Sequence, residues 1–481
     1  MGVKGGSFGL VNPSLSSRWR LPGGASISVV ADYLGANGKY KHRYANGAYD
    51  TTITRQNGDL RVTRAEVGAR VPLDAGTALA VRGYLYFSNR GLPGAVLAGR
   101  FSNAQRQTDR SVALQASVTR ERAALSMKYS RDYSRYTDPS YPVEGGLVSA
   151  FREEEWYLSA TWTRPAASWC DVAVAVDAAR DALSGGMAGF AGASRWSFWG
   201  ALSGEARGGG AVAQASLLAC AVEERGAGKG HRVWCPVVSA SWQPPGTRGL
   251  YARAFFKRSF RVPTFNDLYQ SYPVVASLRP EFATQWNAGV TWERTREGTL
   301  ASLVARADAY RNRVVDKIVA LPAGNVARWT MLNLGRVTVT GVELSGGAGV
   351  SPSAGTSLEV GVTYVWQRAV DDTPGDTRGR LLPYAPLHSG TATATAGRGA
   401  WRWRYSFIYT GTRFSRRDNA EEGREPPWYT HDVSLGYRGA WRGVSFRVDG
   451  EVSNLLNHYY AVVRNYPMPG RSCRLNLSVI I

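Results

Sequence analysis

The stretch Asn454 to Ile481, NLLNHYYAVVRNYPMPGRSCRLNLSVII, ends in a segment whose apolar and polar side chains alternate up to the terminus. Cys473, Leu475, Leu477, Val479 and Ile481 share one face, while Arg474, Asn476 and Ser478 share the other. That period of two is the pattern of a strand with lipid on one side and water on the other. Inside a bilayer no water satisfies an open sheet edge, so such a chain must close into a barrel whose last strand pairs with its first.

The same rhythm recurs upstream. Val444, Phe446, Val448, Gly450 and Val452 alternate with Ser445, Arg447, Asp449 and Glu451, and Trp401, Trp403, Tyr405, Phe407 and Tyr409 alternate with Arg402, Arg404, Ser406 and Thr410. Leu358 to Gln367 and Trp156 to Trp162 behave likewise. A charge near the midplane on the lipid face costs about 2–4 kcal/mol, so Arg447, Asp449 and Glu451 fix which face of their strand is wet.

Composition agrees with this reading. The 481 residues include 54 Gly, 16 Trp and 24 Tyr, suiting a barrel with many turns and aromatic girdles at the lipid headgroups. No run of apolar residues is long enough for a helical span. Lys and Arg number 58 against 37 Asp and Glu, a net charge of +21, which on a soluble protein suggests nucleic acid. Here the arginines are dispersed at alternate positions, as in Arg18 and Arg20, with no basic helical stripe or zinc-ligand set beside them. A cationic lumen that attracts anionic ligands or pairs with an inserted domain is the better account, and no nucleic-acid partner is expected. Four scattered cysteines and five histidines carry no metal-ligand spacing, so neither a metal nor a cofactor is expected.

Compact turn signals fall near Gly23, Asp74, Arg122, Pro165, Gly208, Pro245, Gly298, Gly355, Gly399 and Gly439. Ten tight turns at one rim, with both chain ends there, predict an all-β antiparallel barrel of about 22 strands occupying residues 1–481 as one domain. Longer polar connections at Asp132 to Glu153, Val370 to Arg380 and Thr412 to Trp428 are expected to carry binding groups.

Several motifs resemble one family, the TonB-dependent outer-membrane receptors, and within it the cobalamin and siderophore type. KRSFRVPTFNDLY, from Lys257 to Tyr269, resembles its FRxPTxxxLY motif through Phe260, Arg261, Pro263, Thr264, Leu268 and Tyr269, and Leu278 to Glu281 follows with Pro280 and Glu281. Asn333, Leu334 and Gly335 with Gly341, Val342 and Glu343 are similar to the NLGxxxxxGxE hairpin. LPYAPLHS at Leu382 to Ser389, RGLPG at Arg90 to Gly94 and GSFG at Gly6 to Gly9 match barrel positions. Asn454 to Asn457 with Pro469, Gly470 and Arg471 match the NLxN…PGR ending. Physically these residues read as structural. The prolines fix φ at strand boundaries, the glycines suit bends or close approach, and Glu281 and Glu343 are expected as lumen-side partners of arginines. No paired-carboxylate, Ser/His/Asp or phosphate-cradling arrangement points to an enzyme.

The resemblance implies an integral protein of the cell outer membrane that takes up a scarce metal chelate, iron-siderophore or cobalamin-like. Its implied partners are the TonB complex, the chelate, outer-membrane lipid or lipopolysaccharide and the barrel-assembly machinery. The family's export signal, TonB-contacting segment and lumen-filling plug are not found in this sequence, and Ile481 stands where the family carries a terminal aromatic. Energised transport is therefore expected where a plug is joined to the barrel; the alternative is a plugless passive pore or a fragment that does not transport. Loop aromatics and cations, Tyr133, Tyr136, Tyr141, Arg413, Arg416 and Trp428, are the expected ligand contacts.

Overall fold

The structure is a computed structural model that describes residues 1–480 apart from 47–48, 143, 187–189, 227–229, 270–277, 296–299 and 323–328. Its main element is one 22-stranded antiparallel sheet. The sheet closes because Gly2–Gly6 pairs on one side with Leu10–Arg20 and on the other with Ser472–Ile480, with Val3 opposite both Pro13 and Leu477. The last strand thus meets the first, as the terminal alternation requires, and the all-β barrel of about 22 strands stands. Among the described residues the one α-helix is Phe265–Tyr269.

Side-chain parity follows the sequence pattern. Leu475 is 58% exposed and Val362 56%, positions that face lipid. Inward neighbours pair with one another, Arg447 with Asp449 at 2.7 Å and Arg474 with Glu451 at 3.2 Å. Removing the apolar row from water into lipid and the charged row into a wet lumen is the separation that selects this register over a one-residue slip. Ile481 lies outside the described residues.

Tight connections gather at one rim. Two-residue turns carry positive φ at Gly209 and Gly210 and at Arg442 and Gly443, the left-handed pair that matches the twist of a hairpin. Two expected turn positions are displaced. Pro165 lies within Leu147–Ala167, where a bulge between Pro165 and Ala167 accommodates it. Gly439 lies within Trp428–Trp441 opposite Phe446, whose ring a Cβ at that position would meet at 2.6 Å. The expected turn at Gly298 lies outside the described residues.

At the opposite rim the strands continue well past the bilayer. Leu300–Pro322 has 23 residues and Leu147–Ala167 has 21, against the roughly 9–11 that cross a hydrocarbon core. A second hairpin, Tyr40–Asn46 with Tyr49–Arg55, stands above this rim.

Candidate functional site

The mouth of the barrel is shaped first by the segment after Leu250–Arg261. Pro263 follows this strand's end, and Thr264 caps the short helix: its Oγ1 accepts the Asp267 N–H at 3.1 Å, while the Asp267 carboxylate accepts the Thr264 N–H at 2.9 Å. Arg261 holds the same carboxylate at 2.8 Å. Phe265, Leu268 and Tyr269 then pack on Phe151, Leu183 and Ala193 of the inner wall, with Leu268 only 1% exposed. Beneath them Arg195 pairs with Glu224 at 2.7 Å, donates to the Pro263 carbonyl at 2.7 Å and lies 5.0 Å over the Phe265 ring. Phe260 remains on the strand opposite Phe282. The motif therefore fastens a segment across the inside of the wall.

Asn333 performs a similar task on the neighbouring strands. Its side chain accepts the Arg279 N–H at 2.8 Å and donates to the Arg279 carbonyl at 3.0 Å and the Asp316 carbonyl at 2.7 Å. Pro280 is buried beside this lock. Asn333→Ala removes three hydrogen bonds, two of them open to water, so a loss of about 1 kcal/mol is expected, measurable as a lower denaturant midpoint of the refolded protein. The expectation of arginine partners for Glu281 and Glu343 needs correction. Glu281 accepts the backbone N–H of Ile318 at 2.9 Å, and Glu343 makes no ion pair among the described residues, while Arg253 pairs with Asp308, which lies opposite Glu343 in the strand register. Gly335 faces Thr373, and Gly341 lies under the Tyr310 ring, where a Cβ would also sit 2.8 Å from the Trp366 carbonyl oxygen.

The closing motif turns the chain back into its last strand. Asn454, at φ 50, bonds both ways with the His458 backbone at 2.8 and 2.9 Å, and its own N–H reaches Asp432 at 2.7 Å. Asn457 accepts the Arg471 N–H at 2.8 Å and lies against Gly470, next to Pro469. This loop locks into others: Val96 N–H donates to the Asn465 carbonyl at 2.7 Å and Tyr40 to the Pro467 carbonyl at 2.6 Å. Asn419 exchanges bonds with the Leu381 backbone at 2.7 and 2.9 Å, and Arg417 pairs with Asp371 at 2.7 Å, tying residues 371–387 to 411–427. Arg106 at 2.8 Å holds the Asp59 carboxyl below its ordinary range.

The six expected ligand contacts do not converge on one place. Tyr133 and Tyr136 are on the strand Ala123–Asp138 and Trp428 opens the strand Trp428–Trp441, because pairing continues above the bilayer where a loop was expected. By parity with the exposed Leu125 and Met127, Tyr133 points outward, while Tyr136 points into the lumen. Tyr141 lies in the connection, its N–H donating to the Asp138 carbonyl at 3.3 Å. Arg413 is 2% exposed and donates to the Pro426, Ala461 and Val462 carbonyls, so it holds loops together. Trp428 stacks on Tyr460 with ring centres 4.7 Å apart. Arg416 is exposed and pairs with Asp418 at 2.5 Å.

The lumen is electrostatically divided. Lys4, Arg402, Arg404, Arg447 and Arg474 line one side around Asp449 and Glu451. On another, strand register sets the inward Glu153 beside Asp132 and Glu155 beside Asp181, with Lys128 at 2.6 Å from Glu155. The acidic side was missed because its carboxylates come from three strands, and the register that brings them together is not local in sequence. Among the described residues no group of three or more His, Cys, Asp or Glu is arranged to hold a metal ion.

The family described as "TonB dependent receptor-like, beta-barrel" matches residues 6–455. Among solved structures, the chain is similar to the copper transporter OprC (14% identity, TM-score 0.72, covering 100% of this chain and 79% of that one). It is similar also to the ferric-catecholate import receptor Fiu from E. coli K12 (13%, 0.72, 100% and 81%) and to the FrpB iron transporter from Neisseria meningitidis (13%, 0.74, 99% and 80%). With the closed barrel, the fastened mouth segment and this match across almost its whole length, the chain belongs to the TonB-dependent receptor β-barrel family, outer-membrane transporters and receptors with no enzymatic activity.

Proposed function

We propose that the protein is the uptake receptor for a scarce metal chelate, an iron-siderophore or a cobalamin-like compound, energised through TonB when a plug is joined to the barrel. The observation that carries this reading is the family match over residues 6–455, and solved structures of the same fold include transporters named for copper, ferric catecholate and iron. In this reading Tyr136, Tyr141 and Arg416 at the mouth contact the chelate, the cationic side of the lumen favours its anionic groups, and Arg413 and Trp428 keep the loops in place. The barrel-assembly machinery inserts the chain, and outer-membrane lipid and lipopolysaccharide surround it.

Deleting the gene in its host should abolish uptake of one labelled compound from a panel of ferric siderophores and cobalamins, and a protonophore should abolish the same uptake in the parent strain. Unchanged uptake of the whole panel would remove the receptor reading. Uptake that depends on the gene but survives the protonophore would replace it with a passive pore.

A further inference from the structure

Outward-facing positions on five consecutive strands carry an arrangement that cargo uptake does not use. Strand register sets one row as Leu114, Tyr129, Trp156, Arg180 and Trp196, running across Gln105–Arg120, Ala123–Asp138, Leu147–Ala167, Cys170–Gly185 and Ala193–Gly208. Leu114, Trp156 and Trp196 are exposed, the Tyr129 and Trp156 rings are 4.5 Å apart, and the Arg180 guanidinium lies 5.9 Å from the Trp196 ring. Aromatic rings gathered on the outer face mark the boundary between hydrocarbon and headgroups. Two residues further out lies Arg131, and two beyond that Arg110, Tyr133 and Arg152 stand side by side in register, followed by Arg135. These rows lie about 7 and 13 Å past the aromatic row along the strands.

Five outward arginines stand against two carboxylates, Glu154 beside Arg131 and Glu223 beside Trp196 at the end of the aromatic row. Arg110 and Arg152 flank one ring, their guanidinium carbons 5.8 and 5.9 Å from the centre of Tyr133. Among the described residues Arg131 pairs with Glu154 at 3.3 Å, whereas Arg110, Arg135, Arg152 and Arg180 make no ion pair. Like charges held this close on a rigid sheet repel unless an external anion sits among them, and the planar guanidinium fork fits a phosphate by two parallel hydrogen bonds. Their outward direction excludes the lumen as the source of that anion, since every one of these positions shares the face of Leu114 and Trp156.

We infer that Arg110, Arg131, Arg135, Arg152 and Arg180 form a docking surface for the phosphorylated headgroup of an outer-leaflet glycolipid, with Tyr133 as the ring on which two of the guanidinium groups rest. The inference uses the barrel and its outer-membrane location and is independent of which chelate passes through. The fork holds the phosphates, Trp156 and Trp196 lie against the first carbons of the acyl chains, and the surface fixes the tilt of this side of the barrel.

The test is lipid retention by the whole chain extracted in mild detergent, with bound glycolipid counted by its hydroxy fatty acids after washing. Arg110→Ser with Arg152→Ser should lower retention by roughly thirtyfold. Arg402→Ser with Arg404→Ser, which removes the same charge from the lumen, should leave it unchanged. Unpaired loss in both double variants, or equal retention in all three proteins, would overturn the assignment. A second measurement stands even where a variant fails to insert: the unaltered protein in nanodiscs should retain phosphorylated glycolipid in preference to the enzymatically dephosphorylated form, and equal retention of the two would overturn it as well.

Discussion

Arg195→Met should destabilise the protein by about 3–5 kcal/mol, the expected cost of removing one partner from a buried ion pair. The side chains of Arg195 and Glu224 are 9% and 4% exposed, and two of the Arg195 nitrogens reach the same Glu224 oxygen at 3.1 and 2.7 Å. Among the described residues the other Glu224 oxygen is buried without a partner, so none of them offers the carboxylate a second cation once the guanidinium is gone. Methionine keeps much of the volume against the Phe265 ring, which isolates the electrostatic part of the loss from a cavity. The double variant Arg195→Met with Glu224→Leu should recover most of the stability, because an apolar pair of similar size avoids the desolvation that both charges incur. Urea unfolding of the refolded barrel, followed by the shift in its electrophoretic mobility on heating, reads both. A single variant as stable as the parent would mean that the pair is solvated, and that the Phe265–Tyr269 segment is held by its apolar contacts alone.

That pair also shows where sequence reading stops. The period of two assigned lipid and lumen faces correctly along the strands around Leu475, Trp403 and Val362, because the alternation is local and a one-residue slip would expose every charge to lipid. The number of strands was legible from turn chemistry, although Pro165 and Gly439 serve a bulge and a close ring contact and the turns lie a few residues away. The site was less legible, for two physical reasons. Strand pairing above the bilayer is made by polar residues, so Tyr133 and Tyr136 look like loop residues in composition while their backbones continue the ladder. The partners of Arg413 and Arg195 are carbonyls and carboxylates up to 68 residues away, at positions no spacing rule connects. The bonds of the motif residues Thr264, Asn333 and Asn454, a cap and two locks between segments, follow only from the folded geometry.

The last strand offers the sharpest test of the whole architecture, because two adjacent residues should respond in opposite ways to the same change. Leu475 faces lipid near the middle of Ser472–Ile480, opposite Gly5 and Gly450, and an arginine there is expected to cost about 2–4 kcal/mol near the midplane. Asn476 faces the lumen, 3.5 Å from Asp449 and within the group that includes Lys4 and Arg402. An arginine at this position meets like charges, but through water their repulsion at 4 Å is about 1 kcal/mol per pair, and Asp449 and Glu451 offset part of it. Leu475→Arg should therefore sharply lower the yield of membrane-inserted, heat-modifiable protein and its urea midpoint, while Asn476→Arg should leave both close to those of the parent. The contrast does not depend on ligand, on TonB or on the loops. It depends only on the side of the wall to which each residue belongs, and equal losses from the two substitutions would mean that this strand does not separate lipid from water.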